Sequence, residues 1–454
     1  MASRLLLPFA LAACASAAVL PHNAHENRGF VSFPITRHTR TVPLVKRDGE
    51  VSLFNISATS YLIEMSFGTP GQDVKVAIDT GSNELWVDPV CNSQGLEEEQ
   101  VQECEADGTY TASSSSTAEE STESNTIQYG SGAVEIQYVT DDISLPDSSI
   151  NLTDVQFGIA TASQGLNEGI LGLGFGEGSN TNYPNFVDAL FNQKQTNTKA
   201  FSVALGSVDA DNGGVVIFGG VDTKKFSGKL VSNSILSPQD GDSVVRYWVQ
   251  MDSISLNSSS LGSHTYNGSD TPVVLDTGSS LSVLPSTVVD AMVSDFQAQL
   301  DSSSGLYFVP CDVARSNDGT VNFAFGDATI SVPIGDFIWQ ASDTQCVLGT
   351  QAADSSTGIT ALLGDTFLRS AYVVFDQTNS EILMAQYENC GQDEQAIPTG
   401  SSGASSFTGG CGSGSSSSSS SEDSGSKNAG GRTAGSVGFG VAAVAGLAML
   451  MNTL

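Results

Sequence analysis

Two stretches of this chain, 197 residues apart, carry the same acidic tetrapeptide. VAIDTGSNELWV runs from Val76 to Val87, and VVLDTGSSLSVL runs from Val273 to Leu284. Each consists of an apolar run, then Asp-Thr-Gly-Ser, then further apolar residues. A short apolar run that meets turn-forming residues predicts a buried strand, here one that ends at the aspartate. A single Asp-Thr-Gly is typical of an ordinary turn, so it is the repetition that indicates a shared function.

A second motif recurs at nearly the same spacing. Ile170-Leu171-Gly172 follows the first tetrapeptide and Leu362-Leu363-Gly364 follows the second, an offset of 192 residues. Two elements repeated in the same order predict two β-rich lobes built on one plan and joined near residues 235–245. Such lobes would place the two Asp-Thr-Gly turns face to face across a pseudo-twofold axis.

The segments between these motifs predict a mostly β protein, because they are short, apolar or alternating, and bounded by Gly, Asn, Asp or Pro. The predicted strands are 61–68, 74–79, 133–139, 201–205, 214–220, 247–256, 273–276, 321–325 and 371–376. Helical patterns are found at 183–193 and 286–300, the second with Ser286 as its predicted N-cap.

The charge is acidic and unevenly distributed. The chain has 50 Asp and Glu against 17 Lys and Arg, a net charge of −33, which argues against a nucleic-acid partner. Residues 1–47 hold six basic residues and one acidic residue, whereas 48–427 hold ten basic and 49 acidic residues. A basic leader on a very acidic body predicts electrostatic docking that weakens as carboxylates become protonated at low pH.

The N-terminal segments resemble those of a secreted precursor. Arg4 precedes an apolar run and then small residues, which predicts a signal peptide at 1–18. Lys46-Arg47 ends the basic stretch and predicts a processing site that closes a propeptide at 19–47. The body then divides into lobes at 48–240 and 241–395.

The C-terminal segments predict a lipid anchor. A Ser/Gly-rich stalk is predicted at 396–428, since this composition does not form a core. An apolar run at 437–454 ends the chain, so 429–454 fits the propeptide of a glycosylphosphatidylinositol (GPI) anchor, with Asn428 or Ser424 as attachment residue. The alternative is a membrane-spanning helix, which this Gly-containing 18-residue run without a basic flank fits less well.

Cysteines and sequons also indicate secretion. Cys14 would leave with the signal, and the even number that remains predicts disulfides, with fifteen formal pairings. Cys91–Cys104 would close a short loop and Cys311–Cys346 a longer one, which leaves Cys390 and Cys411. The N-glycosylation sequons begin at Asn55, Asn151, Asn257 and Asn267.

The histidine content argues against several enzyme classes. His22, His25 and His38 lie in the leader, and His264 follows a Ser/Asn-rich stretch that predicts a solvated loop. Ser–His or Cys–His catalysis needs a histidine base held by a third group, and zinc hydrolases need several His or Cys ligands. The sequence contains no HExxH motif and no Walker phosphate loop. Carboxylate chemistry remains.

Asp79 and Asp276 are the candidate catalytic residues. The turns that follow them, Thr80-Gly81 and Thr277-Gly278, offer backbone N–H groups to a carboxylate. Two carboxyl groups about 3 Å apart do not both ionise, because their negative charges repel each other. The pair would therefore share one proton over a range of acid pH, as the aspartic-protease dyad does. One carboxylate would act as base on water while its protonated partner polarises a carbonyl.

With these motifs, residues 58–390 resemble a pepsin-family (A1) aspartic endopeptidase. The resemblance implies a bilobal, mostly β fold with a deep cleft, no cofactor and no metal. It implies that Ser82 and Ser279 support the two carboxylates. IQYGSGAVEIQY resembles the flap hairpin of that family, which makes Tyr129 the flap tyrosine, Gly130 part of the tip and Trp86 the partner of Tyr129.

The chain departs from the family pattern at two positions. Asn83 stands where a second serine is common, and the flap contains YGSG where YGDG or YGTG is commoner. Neither departure changes the acidic pair. The expected consequence is an altered substrate preference.

The whole chain is similar to fungal GPI-anchored proteases of the yapsin type, which cleave after Lys or Arg. The acidic insert NSQGLEEEQVQE at 92–103 is a shared feature, and an acidic cleft would attract basic side chains. This resemblance predicts a monomeric endopeptidase at the outer face of the plasma membrane or in the wall, with protein or peptide substrates. The alternatives are a catalytically inactive pepsin-like protein that binds ligands in its cleft and a structural wall glycoprotein.

Overall fold

The structure is a computed structural model that describes residues 29–45, 51–87 and 101–412, with short gaps. The gaps are 103–104, 131, 147, 149, 165, 167, 208–213, 240, 303, 317, 342–343 and 354–360, and no side chains are described at 39–45 and 51–59. The described residues lie in the compact unit Met1–Ser413, while the unit Gly414–Leu454 lies outside them.

Strands dominate the described residues. In chain order they are β1 (Val31–Pro34), β2 (Thr36–Val45), β3 (Val51–Phe67), β4 (Gln72–Asp79), β5 (Leu85–Val87), β6 (Glu119–Gln128), β7 (Ala133–Ser144), β8 (Asn151–Gln164), β9 (Gly169–Gly172), β10 (Ala200–Ala204), β11 (Val215–Phe218), β12 (Gly220–Asp222), β13 (Val231–Ser234), β14 (Trp248–Met251), β15 (Ser253–Ser258), β16 (Gly262–Thr265), β17 (Thr271–Leu275), β18 (Ser282–Leu284), β19 (Gln299–Asp301), β20 (Leu306–Val309), β21 (Thr320–Phe325), β22 (Ala328–Pro333), β23 (Trp339–Gln340), β24 (Cys346–Val347), β25 (Thr350–Ala352), β26 (Leu362–Leu363), β27 (Ala371–Asp376), β28 (Glu381–Gln386) and β29 (Glu394–Ala396). Every segment predicted as a strand overlaps an observed one.

The described helices are short. They are α1 (Phe186–Asn192), α2 (Ser286–Asp295), α3 (Cys311–Arg315), α4 (Ile334–Phe337) and α5 (Asp365–Leu368), with 3₁₀ turns at Ala112–Ser114 and Ala404–Ser406. Helix α1 begins with a capping box, in which the Asn185 side chain accepts from the Asp188 N–H and Asp188 accepts from the Asn185 N–H.

The second helix begins at the predicted residue, but its predicted N-cap and its predicted C-terminal end are wrong. Ser286 is the first helical residue after Pro285, and no side chain caps this terminus. The helix ends at Asp295 rather than at 300, because Gln297 adopts a left-handed φ of 52° and Gln299–Asp301 forms strand β19.

An eight-stranded sheet forms most of the N-terminal half, in the order β2-β3-β4-β9-β5-β8-β7-β6. Its central strand β4 becomes fully buried as it approaches Asp79, whereas the edge strand β6 has no buried residue. The first Asp-Thr-Gly turn therefore lies at the end of a strand whose last residues are held in the core.

The C-terminal half contains three smaller sheets. Their orders are β14-β17-β26-β18-β25, β16-β15-β21-β22 and β19-β20-β24-β23. In the first of these, β17 leads to Asp276 and pairs in parallel with β26, where Leu275 is opposite Leu363. The second acidic turn is thus supported in the same way as the first.

A six-stranded sheet combines strands from distant parts of the chain, in the order β1-β11-β10-β27-β28-β13. Strand β1 lies in the predicted leader, and its Phe33 ring packs edge-on against Phe218 with centroids 5.7 Å apart. Val31 and Phe33 are each 5 % exposed. The predicted leader therefore contributes to the core of the described unit.

Aromatic rings fill the core next to the first acidic turn. Phe201 stacks on Phe375 with centroids 5.0 Å apart, and Tyr247 lies 4.6 Å from Phe375. The Tyr247 hydroxyl donates to the Leu173 carbonyl at 2.7 Å, and the Leu173 N–H donates to the Asp79 carbonyl at 2.8 Å. This aromatic layer connects the six-stranded sheet to the first acidic turn.

The beginning of the predicted stalk is folded, which corrects its predicted boundary at 396. Ala404 and Cys411 are buried, and Phe407 packs on the same apolar cluster as Phe226. Cys411 forms a disulfide with Cys390. Few apolar residues therefore suffice to hold residues up to Gly412 on the body, because a covalent bond assists them.

Candidate active site

The Ile-Leu-Gly and Leu-Leu-Gly motifs lie beside the two acidic turns. Asp79 is opposite Gly172 in the parallel β4–β9 pair, and the Asp276 N–H donates to the Leu363 carbonyl at 3.0 Å. A Cβ on Gly172 would lie 2.5 Å from the Glu84 nitrogen. The glycine allows the chain after the first turn to pass close to β9, which explains why this second motif recurs with the acidic one.

The two threonines of the repeated motif bond to each other's turns. The Thr80 N–H donates to Thr277 Oγ1 at 3.1 Å, and the Thr277 N–H donates to Thr80 Oγ1 at 3.0 Å. Their hydroxyls donate to the carbonyls of Leu275 and Ile78 at 2.8 and 2.9 Å. All four bonds are buried, so they hold the two turns in one fixed relative position.

The two aspartates have matching local partners. Asp79 Oδ1 accepts from the Gly81 N–H at 2.8 Å, and Asp79 Oδ2 accepts from the Ser82 hydroxyl at 2.5 Å. Asp276 Oδ1 accepts from the Gly278 N–H at 2.9 Å, and Oδ2 accepts from the Ser279 hydroxyl at 2.7 Å. The sequence repeat is therefore a repeat of carboxylate geometry.

The glycines allow the carboxylates to face each other. A Cβ on Gly81 would lie 2.6 Å from Asp276 Oδ1, and one on Gly278 would lie 2.6 Å from Asp79 Oδ1. Each carboxylate thus sits against the backbone of the opposite turn, and any side chain at either glycine would collide with it.

The two carboxyl groups differ in their surroundings. Asp79 is buried, whereas Asp276 is only partly buried. Burial is the largest cause that raises the pKa of Asp79 well above its usual value, and the negative charge of Asp276 raises it further. Hydrogen bonds from Ser82 and Gly81 oppose this shift. Such a pair keeps one proton at a pH where isolated carboxyl groups have lost theirs.

A hairpin of β6 and β7 brings a tyrosine to this pair. The Tyr129 N–H donates to the Gly132 carbonyl at 2.8 Å and closes the hairpin, with Gly130 exposed at its tip. Trp86 Nε1 donates to the Tyr129 hydroxyl at 2.8 Å. Burial and then the charge of Asp79 raise the pKa of Tyr129, so the phenol stays neutral near the carboxylates.

Comparison with known proteins agrees with this geometry. A family model described as Eukaryotic aspartyl protease matches residues 60–387. The chain belongs to the eukaryotic aspartyl protease family. It is an aspartic-type endopeptidase of the pepsin family, and its mostly β structure is the bilobal pepsin-like fold.

Individual relatives cover most of this aspartic protease. The probable aspartic-type endopeptidase opsB of Aspergillus oryzae is 34 % identical over 383 residues, which cover 78 % of this chain and 75 % of the relative. Candidapepsin-3 of Candida albicans is 33 % identical over 383 residues, with 80 % and 87 % covered. The crystal structure of aspartic proteinase from Irpex lacteus has a TM-score of 0.59 at 21 % identity and covers 79 % of this chain and 98 % of that protein, which supports the fold.

The sequence reasoning missed Glu84 of this aspartic protease. Its Oε1 accepts from the Tyr138 hydroxyl at 2.9 Å, and its Oε2 accepts a short hydrogen bond from the Tyr183 hydroxyl. Burial and the Glu84 charge raise the pKa of Tyr138 to about 12. Glu84 thereby connects the loop after the first acidic turn to strand β7 of the Tyr129 hairpin. Its place within the repeated motif was the signal that could have found it.

A buried acid behind Asp276 was also missed. Asp365 has no exposed surface, and neither of its carboxyl oxygens has a hydrogen-bond partner among the described residues. Its N–H donates to the Ser279 carbonyl at 2.8 Å. Burial raises the pKa of Asp365 well above its usual value, the Arg369 cation opposes this, and the Asp276 charge adds to it. The Asp after Leu-Leu-Gly in the second motif was the available signal.

Asn83 explains the first departure from the family pattern. Its Oδ1 accepts from Asn180 Nδ2 at 2.8 Å, and Asn180 exchanges two hydrogen bonds with Val245. The side chain that replaces the common serine therefore connects the first acidic turn with the segment between the lobes.

Two histidines lie outside the dyad. His264 is on strand β16 rather than in a loop, is exposed, and pairs with Asp295 at 2.9 Å. His38 lies with Asp107 and Glu168 in a group whose possible ligand atoms are within 4.8 Å of one another, which makes these three the candidates for holding a metal ion. Because His38 belongs to the predicted leader, this group is at the contact between leader and body.

Some of the predicted disulfide, glycosylation, processing and anchor residues lie among the residues that the structure describes, and others lie outside them. Cys311 and Cys346 form a disulfide, and the sequon residues Asn151, Asn257 and Asn267 are exposed. Several predicted features lie outside the described residues: Cys91 and Cys104, the side chain of Asn55, Lys46-Arg47, and Asn428 and Ser424. Among the described residues, no helix is long and apolar enough to cross a membrane.

Proposed function

We propose that this endopeptidase uses Asp79 and Asp276 as its catalytic pair, with a water molecule as the nucleophile. The observation that carries the proposal is the reciprocal packing of the two turns, in which each carboxylate contacts the backbone of the opposite glycine. Two facing carboxyl groups in unequal environments, one buried and one partly buried, can act as acid and base at the same time.

The chemistry requires one proton on the pair. The ionised carboxyl accepts a proton from water as the water oxygen attacks the peptide carbonyl, and the protonated carboxyl donates its proton to the carbonyl oxygen. In the collapse of the tetrahedral diol the C–N bond breaks: one diol hydroxyl gives its proton to the ionised carboxyl, and the amine leaves with the proton of the other carboxyl, so the pair again holds one proton. No covalent enzyme intermediate forms. Ser82 and Ser279 hold the outer oxygens, and Tyr129 closes over the substrate.

Substitution of each aspartate tests this assignment. Asp79→Asn and Asp276→Asn remove the charge with little change of shape, and each should lower kcat/KM by more than about a thousandfold, the scale expected when the group that activates the nucleophile is lost. The full chain from a secretory host would be assayed on a peptide library from pH 3 to 7, with Asp290→Asn, an exposed acid of helix α2, as control. A folded wild-type protein that cleaves nothing would instead support a cleft-binding protein.

A preference for Lys or Arg near the scissile bond is the second part of the proposal. Residues 76–193 contain 20 Asp and Glu and no Lys, Arg or His. Glu84 places one of these charges between the first acidic turn and the flap. Coulomb attraction then favours basic side chains in the cleft. The cut sites in the same library test this, and equal cleavage after neutral residues would contradict it.

Maturation and membrane attachment complete the proposal. Cleavage after Arg47 separates the basic leader, and a GPI lipid at Asn428 or Ser424 holds the body at the outer face of the plasma membrane or wall. N-terminal sequencing of the surface form tests the first point. Phosphatidylinositol-specific lipase tests the second, and retention on membranes after complete lipid cleavage would favour a spanning helix or a wall linkage.

A further inference from the structure

Arg246 brings a cation to the first acidic turn. It lies just before β14, in the segment between the lobes, and its Nη1 donates to the Gly81 carbonyl at 2.6 Å. Gly81 is the residue whose Cα faces the Asp276 carboxylate, since a Cβ there would lie 2.6 Å from Oδ1. The guanidinium is therefore next to the residues on which the proposed chemistry takes place.

The position of Arg246 is fixed by its own segment. Arg246 Nε donates to Asp242 Oδ2 at 2.8 Å, and Asp242 Oδ1 accepts from the Val244 N–H at 3.0 Å. Trp248 Nε1 also approaches Asp242 Oδ2, at 3.4 Å, and this tryptophan is almost fully buried. One end of the guanidinium is thus held by a carboxylate that the core positions, which reduces the entropy lost when a ligand binds.

Part of the guanidinium is left for a ligand. Arginine has five N–H donors, and among the described residues Arg246 uses one at Nε and one at Nη1. Its side chain is 21 % exposed. The three other N–H groups have the planar arrangement that binds both oxygens of a carboxylate.

The surroundings make this cation distinctive. Within 48–427, ten Lys and Arg face 49 Asp and Glu, and the stretch 76–193, which includes the flap, has no basic residue. An acidic substrate side chain meets repulsion along such a surface, so the cleft tolerates it best beside a cation. Asp242 offsets part of the Arg246 charge, which makes the expected effect moderate.

We propose that Arg246 binds an ionised carboxylate of the substrate, an Asp or Glu side chain close to the scissile bond, and is a specificity-determining residue. This inference rests on the proposed function, because it needs a peptide bound across Asp79 and Asp276. The resulting substrate class carries a basic residue at one position, as proposed above, and an acidic residue at another.

Paired peptides test the inference directly. Amidated peptides that differ only by Glu or Gln at one position near the cut site would be assayed at the highest pH at which the wild type cleaves both members, so that Glu is ionised. At one position the wild type should favour Glu over Gln by roughly three- to tenfold in kcat/KM, mainly through KM, as expected for a charge-assisted hydrogen bond near solvent. Arg246→Gln should bring that ratio close to one, and Arg246→Lys should keep part of it.

The control variant is Arg315→Gln, which removes an exposed arginine on α3. It should leave the Glu/Gln ratio at the wild-type value. An equal ratio in wild type and Arg246→Gln at every position would overturn the inference, as would a uniform slowing of all peptides by Arg246→Gln, which would indicate that Arg246 only supports Gly81. A preference for free-acid over amidated peptides, without a Glu preference, would assign the carboxylate to a chain terminus and overturn the side-chain assignment.

The same experiment distinguishes a failure of the proposed catalytic pair from a failure of the proposed role of Arg246. Cleavage that persists in Asp276→Asn, or a folded wild type that cleaves no peptide, would remove the catalytic pair and this inference together. A wild type that cleaves through the pair but shows no Glu preference would remove the role of Arg246 alone.

Discussion

Thr80 and Thr277 each donate a backbone N–H to the hydroxyl oxygen of the other, at 3.1 and 3.0 Å. Each hydroxyl then donates to a carbonyl of the opposite strand end, at Leu275 or Ile78. The two turns are therefore tied together next to the two carboxylates, and this contact fixes the geometry of the proposed catalytic pair.

Removing one of these hydroxyls should destabilise the protein. Thr80→Val keeps the shape of the side chain but leaves the Thr277 N–H and the Leu275 carbonyl buried without partners, at about 1–3 kcal/mol for each group. We expect a loss of about 2–4 kcal/mol in the free energy of unfolding and a lower kcat. Urea denaturation and peptide assays measure both.

Thr80→Ser is the matched control for that substitution. It keeps the hydroxyl, so it should retain most of the stability and activity. Equal stability of the Val and Ser variants would contradict the structural role of the reciprocal bonds.

The raised pKa of Asp79 predicts that the free energy of unfolding depends on pH. In the folded protein this group holds its proton above the usual carboxyl value of 3.8, whereas in the unfolded chain it ionises near that value. The unfolded state then binds fewer protons, so the contribution of Asp79 to stability falls as pH rises from 3.8 to the raised pKa, and is constant above it.

Asp79→Asn should remove that dependence. Relative to wild type, the variant should become more stable as pH rises from about 4 towards neutrality, the window in which Asp79 is ionised in the unfolded chain but still protonated in the folded protein. Denaturant unfolding at several pH values measures the difference. A difference between variant and wild type that stays constant across this range would show that the pKa of Asp79 is not raised.

The Trp86–Tyr129 hydrogen bond should affect catalysis more than folding. Tyr129→Phe removes the hydroxyl that accepts from Trp86 Nε1 at the flap. The loss of one neutral hydrogen bond corresponds to about 1 kcal/mol, so kcat/KM should fall roughly fivefold, with a larger fall if the hydroxyl also contacts the substrate.

Steady-state kinetics with several peptides check the flap prediction. Tyr307→Phe, a tyrosine of strand β20 in the C-terminal half, is the control and should not change kcat/KM. Unaltered kinetics in Tyr129→Phe would show that the Tyr129 hydroxyl contributes neither to substrate binding nor to catalysis.

The Cys390–Cys411 disulfide should hold the residues after β29 on the body. It closes a separation of 21 residues, for which chain entropy predicts a contribution of about 3 kcal/mol. The double substitution Cys390→Ser and Cys411→Ser should lower stability by about that amount and expose residues 396–412 to a broad-specificity protease.

Limited proteolysis with mass spectrometry locates the new cut sites. Cys311→Ser with Cys346→Ser is the comparison, because it removes the other described disulfide and should leave 396–412 protected. Protection of that segment in both double variants would show that packing of Phe407 and Ala404 is sufficient.

Much of the local structure followed from residue pattern. The apolar runs before Asp79 and Asp276 predicted strands, and strands β4 and β17 lead to these residues. The prediction for α2 failed for its N-cap and beyond Asp295, because Pro285 occupies the cap position before Ser286 and residues 299–301 form strand β19. Local signals therefore located elements better than they located element ends.

By itself, the sequence determined that the chain carries two equivalent acidic turns, each on a buried strand and each followed by an apolar-apolar-Gly motif. Only the tertiary structure decided which residues from distant segments meet at those turns: Glu84 with two tyrosines, Asp365 behind Asp276, and Arg246 on the Gly81 carbonyl. Repeated motifs report local conformation, which depends on neighbouring residues. Contacts across the cleft depend on how the two halves pack, and no periodicity in the chain encodes that arrangement.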